Sequence, residues 1–214
     1  MVALSFPSIP VKTHVVTEKD DLVELTRKYT EGIAFPGDII AVAESVAAIT
    51  QGRAVLPEKI RPGLIAKFVS RFPAKHGSLA TPSAMQLAIS EVGIFRILLG
   101  CAASVFGRLI GAKGYFYIAA GRELALIDDV AGTMWPYEKH IILGPKEPEK
   151  IVFSIFEATG VDAVIADVND IKCVDILAAT SLESEKRAKE ALIDNPFGND
   201  DQQTPIVVIK QQKS

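Results

Sequence analysis

Cysteine is nearly absent from this chain. Only Cys101 and Cys173 occur in 214 residues, too few for a disulfide framework, and both sit in apolar sequence. They are expected to be buried thiols of a reducing compartment. Aromatic residues are also scarce, 7% against 49% hydrophobic residues in all, so an aliphatic, alanine-rich core is expected. Charged residues form no long basic run and the net charge is −3, which argues against nonspecific nucleic-acid binding. The three histidines, His14, His76 and His140, are scattered, and nothing pairs one with a nucleophile. Neither G-x-x-x-x-G-K-[ST] nor G-x-G-x-x-G is present, so an ordinary P-loop or Rossmann reading lacks its glycines. Zinc spacings of the C-x-x-C or H-E-x-x-H kind are missing too, as are internal repeats and low-complexity tracts.

Long apolar runs are equally lacking. The start, MVALSFPSIPVKT, has no basic residues leading an apolar stretch, so no signal peptide is expected. Val92 to Ile110 is the one segment that invites a membrane reading. Its uninterrupted part lies between Arg96 and Arg108, roughly half of the ~20 residues a spanning helix needs. A buried helix of a soluble, cytoplasmic protein is expected there, with no membrane partner.

The residues that are present describe irregularly alternating strands and helices, and an α+β fold with mixed sheets and flanking helices is expected. Val11 to Val16 reads as a first strand. Leu22, Leu25 and Tyr29 mark one helical face that Gly32 stops. The turn Phe35 to Asp38 launches Ile39 to Ala43, an all-apolar central strand that Val46 to Thr50 resumes after a break at Glu44 and Ser45. A helix follows from Leu64 to Phe72 and another from Ala84 to Glu91. Tyr115 to Ala120, aromatic and branched, is the strongest strand signal in the chain. Ile141 to Leu143 begins a further short strand, Ser184 to Ile193 reads as a helix, and Ile206 to Ile209 makes a last buried strand. Length allows one large domain or two small ones; a single domain over 1–214 is expected, with a division into two lobes near 75–113 as the alternative.

The chemistry concentrates around Pro148 to Asp175. Pro148 opens a helix carrying Ile151, Val152, Ile155 and Phe156, and Gly160 is its left-handed stop. Ala163 to Ala166 then reads as a buried strand ending abruptly in Asp167-Val-Asn-Asp170. Two carboxylates and the Asn169 amide held there suit a hard cation and, through it, a phosphate. An Asx-rich turn capping its own backbone is the simpler reading of that stretch alone. The Tyr115–Ala120 strand would end in Arg122 and Glu123, so two strands are expected to deliver acids, and paired carboxylates from separate elements serve metal-assisted phosphoryl chemistry. Ser78 and Thr81 lie in a small polar loop that offers hydroxyls and amides to a phosphate, though Thr81 or Ser83 would equally cap the next helix. Arg53, beside Gly52, is a fixed charge for an anion, or simply a surface arginine.

In order along the chain these landmarks resemble the coenzyme F420-0:L-glutamate ligase (gamma-glutamyl ligase) family. Gly37 to Ala43 and Thr50 to Arg53 look like its GD-V-x-V-V-A and A-E-G-R elements, and Gly114 to Glu123 looks like its G-x-x-x-A-N-A-G-V-D. Ile142 to Pro148, the helix, and Gly160 to Asp167 look like its L-L-P-x-D-P and G-V-D-x-A-V-I-I-S-D. The resemblance spans roughly Val11 to Pro205. It implies a GTP-dependent ligase that uses Mg²⁺ or Mn²⁺, phosphorylates a substrate carboxylate and forms a gamma-linked amide with glutamate. It also implies an intertwined homodimer with small-molecule substrates, and the aliphatic Val92–Ile110 helix fits a large dimer interface. By position, Glu123 and Asp167 would hold metal. From the residues themselves Asp170 is expected to join them, and Arg53, Ser78, Thr81, Arg122 and Asn169 are expected to face nucleotide or substrate. The chain departs from the family after Asp167, where T-F-G-R-P-W-R gives way to Val168 to Val174 and both arginines are lost. Ser45 and Ile49 stand where the family's K-x-V-S-K carries lysines. These departures leave two other readings open: a noncatalytic binding relative, and an enzyme acting on a different phosphorylated metabolite.

Overall fold

A computed structural model describes residues 6–73, 79–112, 114–130, 135–168, 172–198 and 202–211. The chain divides into two compact units, one formed by residues 1–53 with 145–214 and the other by 54–144. The divisions, at 53/54 and 144/145, fall outside the 75–113 stretch.

The first unit is built on a mixed five-stranded sheet in the order β1-β7-β2-β5-β6. At its centre is β2, Ile39–Ala43. It runs parallel to β5, Asp162–Val168, and antiparallel to β7, Ile206–Ile209. Ile39, Ile40, Ala41 and Val42 are all fully buried, and the pleat sorts them onto two faces. Ile40 and Val42, with Ala163, Ile165, Ile206 and Val208, pack against Leu22 and Leu25 of α1, Leu22–Thr30, and Val152 and Ile155 of α7, Pro148–Thr159. Ile39 and Ala41, with Val164, Ala166, Val207 and Ile209, pack against Ala188 and Leu192 at α8, Leu182–Ala191. Both faces are covered, which is why the central strands read as unbroken apolar runs. β1, Ser8–Val11, and β6, Val174–Ala179, close the two edges.

Local signals set the helix ends. Asp21 caps α1 by accepting from the backbone N–H of Val23 and Glu24, Pro148 occupies the first turn of α7, and Gly160 ends it in the left-handed conformation at φ 69°. Asp38 pins the start of β2. Its carboxylate accepts from the N–H groups of Phe35 and Gln211, at 3.0 and 2.9 Å, and from the Lys210 ammonium, which also donates to the Ile33 carbonyl.

Several sequence expectations are corrected. The first strand is Ser8–Val11 rather than Val11 to Val16, because β7 offers only four residues to pair with and Ile206 meets Val11. Val46 to Thr50 does not resume the strand. Glu44–Thr50 is a helix, α2, in which Ala47, Ala48 and Ile49 are buried, and alanine favours that geometry with an acid in the first turn. Cys173 is exposed in the approach to β6, and Cys101 is half-buried; both are free thiols.

The second unit pairs β3, Ala54–Val55, with β4, Ile141–Ile142. Its bulk is helical: α3, Leu64–Val69, α4, Pro82–Val92, α5, Ile94–Leu109, and α6, Tyr115–Ala120. The strongest strand signal is thus a helix. Packing overrides propensity there, because Phe116 and Ala120 share a helical face that fills the groove over Gly100 of α5. A Cβ at Gly100 would stand 2.7 Å from the Ala120 Cβ. The expected buried helix is also corrected: in α5 only Ile97, Gly100 and Gly107 are buried, while Phe95 is 85% and Leu109 80% exposed. Gly93, at φ 84°, separates α4 from α5 with a 113° bend. Among the described residues no single helix is long and apolar enough to cross a membrane.

Burial alone would raise the Asp38 pKa, but Lys210 and the two backbone donors outweigh it and hold the group below its ordinary 3.8. A depressed carboxyl contributes stability that is complete above the unfolded value and is lost as pH falls through the folded one. Urea unfolding of Asp38→Asn is expected to show a loss of roughly 2 kcal/mol at pH 7 that shrinks below pH ~4, where wild type itself weakens.

Candidate functional site

Asp167 lies near the end of β5, and the antiparallel pairing with β6 sets Asp175 directly opposite it. A register shift between Ile165 and Ala166 precedes the pair: Ile165 faces Ala178 and Ala166 faces Ile176, so Leu177 is the extra residue of a bulge. Both acids are exposed, Asp167 toward the end of the inner strand β5 and Asp175 on the edge strand β6. Desolvation by the surrounding protein, and after it the charge of Asp175, raise the Asp167 pKa above its ordinary value. Like charges directly opposite are destabilising. A cation placed at the pair relieves that cost.

Glu123 is positioned differently from expectation. It follows a helix, not a strand, in a single 3₁₀ segment over Arg122–Leu126, in the second unit. Its carboxylate lies 3.6 Å from Arg96 of α5, an exposed ion pair. Thr81 takes the capping role that was open to it, its hydroxyl accepting from Ala84 N–H at 3.2 Å. Arg53 is half-buried after α2, its own N–H donating to the Ala48 carbonyl. Arg122 is exposed. Ser78, Asn169 and Asp170 lie outside the described residues. Among the described residues no group of three or more His, Cys, Asp or Glu side chains converges.

The donor set therefore does not amount to an all-protein metal cage. Two carboxylates, one with raised proton affinity, do fit Mg²⁺ or Mn²⁺ of the kind that takes one or two protein carboxylates and fills its shell from water and substrate phosphate. Sequence reasoning did not single out Asp175. The hairpin spacing from Asp167 was its only signal, readable once β6 was known to turn back on β5. Sequence reasoning also passed over a cavity of about 520 Å³ in the second unit, lined by Lys67, Ser70, Arg71, Pro73, Ala80 and Pro82.

A mixed sheet of buried aliphatic strands with helices on both faces, carrying an exposed carboxylate pair near the end of β5, defines an α+β protein. Comparison with known families makes this specific: the model of the F420-0:gamma-glutamyl ligase family matches residues 10–165, well over half of the chain. The protein belongs to that family. The match begins within β1, takes in β2 and α7, and stops two residues short of Asp167. A search of curated proteins found no match.

If Asp175 contributes to the raised Asp167 pKa, Asp175→Asn makes the metal-free protein more stable at neutral pH. The expected gain is ~0.5 kcal/mol, read by urea unfolding at pH 7. It should fade as pH falls toward 4, where protonation of Asp167 removes the repulsion in wild type as well.

Proposed function

We propose that this protein is a cytoplasmic GTP- and divalent-metal-dependent ligase that forms an amide between a carboxylate acceptor and L-glutamate. Membership of the gamma-glutamyl ligase family carries the reading, and the Asp167–Asp175 pair supports its metal requirement. The acceptor carboxylate oxygen attacks the γ-phosphorus of GTP, forming an acyl phosphate and releasing GDP. The glutamate amine then attacks the acyl carbon, loses its proton, and displaces inorganic phosphate. Mg²⁺ or Mn²⁺, when bound, neutralises phosphate oxygens. Asp167 and Asp175 of the first unit are the residues to hold it, joined in this reading by Asp170, whereas Glu123, proposed from the sequence as a further ligand, is paired with Arg96 within the second unit. Arg53, Ser78, Thr81, Arg122 and Asn169 serve the nucleotide and acceptor, Thr81 through the helix end it caps. The rigid sheet fixes the position of the carboxylates, because β5 is held on both sides by paired strands.

One observation favours a noncatalytic relative. Ile49, standing where the family has a lysine, is 6% exposed and belongs to the core, so α2 offers no cation at that point. Such a protein would bind nucleotide without turnover.

Thermal melts with GTP, ATP or GDP, each with Mg²⁺, Mn²⁺ or chelator, separate these readings. GTP at ~100 times its dissociation constant is expected to add about 2.7 kcal/mol, with the metal-dependent part lost in Asp167→Asn. Glutamate-dependent phosphate release then identifies the ligase, and binding without release identifies the noncatalytic relative. No shift with any nucleotide, in a folded sample, removes the GTP-dependent reading.

The proposed homodimer follows from α5. Phe95, Leu99, Phe106 and Leu109 recur at helical spacing and are each more than half exposed, and a helix apolar on its outer face needs a cover. Sedimentation is expected to give twice the 23.0 kDa chain mass, and Phe106→Glu is expected to give the monomer with an unchanged melting profile of the first unit's sheet.

A further inference from the structure

The cavity in the second unit has an electrostatic arrangement that the fold alone does not call for. Lys67, in the last turn of α3, and Arg71, just beyond it, are four residues apart and both exposed. Neither makes an ion pair among the described residues. They line the same space as Ala80 and Pro82, which flank the N-cap Thr81 of α4. Cations beside a helix N-terminus are unfavourable, because that end already carries a partial positive charge. Residues 59–122 contain nine Lys and Arg but a single acid, Glu91, which sits at the opposite end of α4, roughly 13 Å along its axis.

The walls of this space are held in place. The Gly63 N–H, at the start of α3, donates to Gln86 of α4 at 2.9 Å. Ala66 and Val69 of α3 share one buried cluster with Ala84, Met85 and Ala88 of α4. Ser70, 5% exposed, turns its hydroxyl toward the Lys67 carbonyl at the cavity wall. The volume, about 520 Å³, lies within the range of small-ligand sites.

We propose that this cavity binds a polyphosphate anion, with Lys67 and Arg71 as its cationic ligands. An anion there satisfies two uncompensated cations and the positive end of α4 together. That the polyphosphate arrives on a nucleotide rests on the GTP-dependent reading above; the anion site does not.

Calorimetric titration of the full chain with inorganic tripolyphosphate and, separately, with GTP tests this. Lys67→Ala and Arg71→Ala are each expected to weaken both ligands about tenfold, and the double variant about a hundredfold. Lys59→Ala, an exposed cation outside the cavity lining, leaves both unchanged. All three side chains are exposed, so unaltered melting temperatures certify the fold. Tripolyphosphate binding that depends on Lys67 and Arg71, with GTP bound no more tightly than tripolyphosphate, upholds the anion site and removes the nucleotide reading. Tripolyphosphate binding undiminished in the double variant overturns the site; tripolyphosphate binding lost there with GTP binding undiminished upholds the anion site and assigns the nucleotide to another place. Absence of tripolyphosphate binding to wild type overturns the site outright.

Discussion

The first unit depends on β2 having no face that meets water. Four of its five residues are fully buried, and their alternation supplies both of the unit's cores, one under α1 and α7 and one under α8. A strand of this kind cannot slip by one residue, since every side chain would change core. Asp38 fixes its entry by joining the Lys210 ammonium and the Gln211 backbone to the turn before it. The position of Asp167 is inherited from that register, because β5 pairs with β2 residue for residue from Asp162 to Ala166.

Much of this was readable in the residues. The runs at 39–43, 163–166 and 206–209 are aliphatic, bounded by turn or cap residues, and could only be interior strands. The helix from Pro148 to Gly160 announced both its ends. What was misread shares one cause. Tyr115 to Ala120 and Val46 to Thr50 are short, and over five or six residues the chain's own preference is weaker than the partner it meets. The groove at Gly100 and the alanines at 47 and 48 decided those segments. The outer face of α5 was misread for a related reason, since an apolar sequence reports the need for a cover and not where the cover comes from.

The candidate site was legible in its parts more than in its assembly. Asp167 stood out because an apolar strand ended in an acid. Asp175 required the return of β6, a long-range fact that periodicity does not carry. Lys67 and Arg71 were not singled out from the sequence. Their meaning depends on α3 lying against the beginning of α4, and on the scarcity of acids across that part of the chain. Glu123 was assigned to a strand end, and its neighbour is Arg96 of a helix. Chemistry attached to a short element moves with the identity of that element.

The order of the sheet has a consequence for how the chain is made. β7, the last strand in sequence, lies between the first two, β1 and β2. The facing edges of β1 and β2 therefore have no partner until residues 206–209 have been made, and residues 54–144 emerge in the interval. Completing the sheet requires closure over some two hundred residues. Until then the exposed strand edges are the part of the nascent chain most in need of protection from other chains.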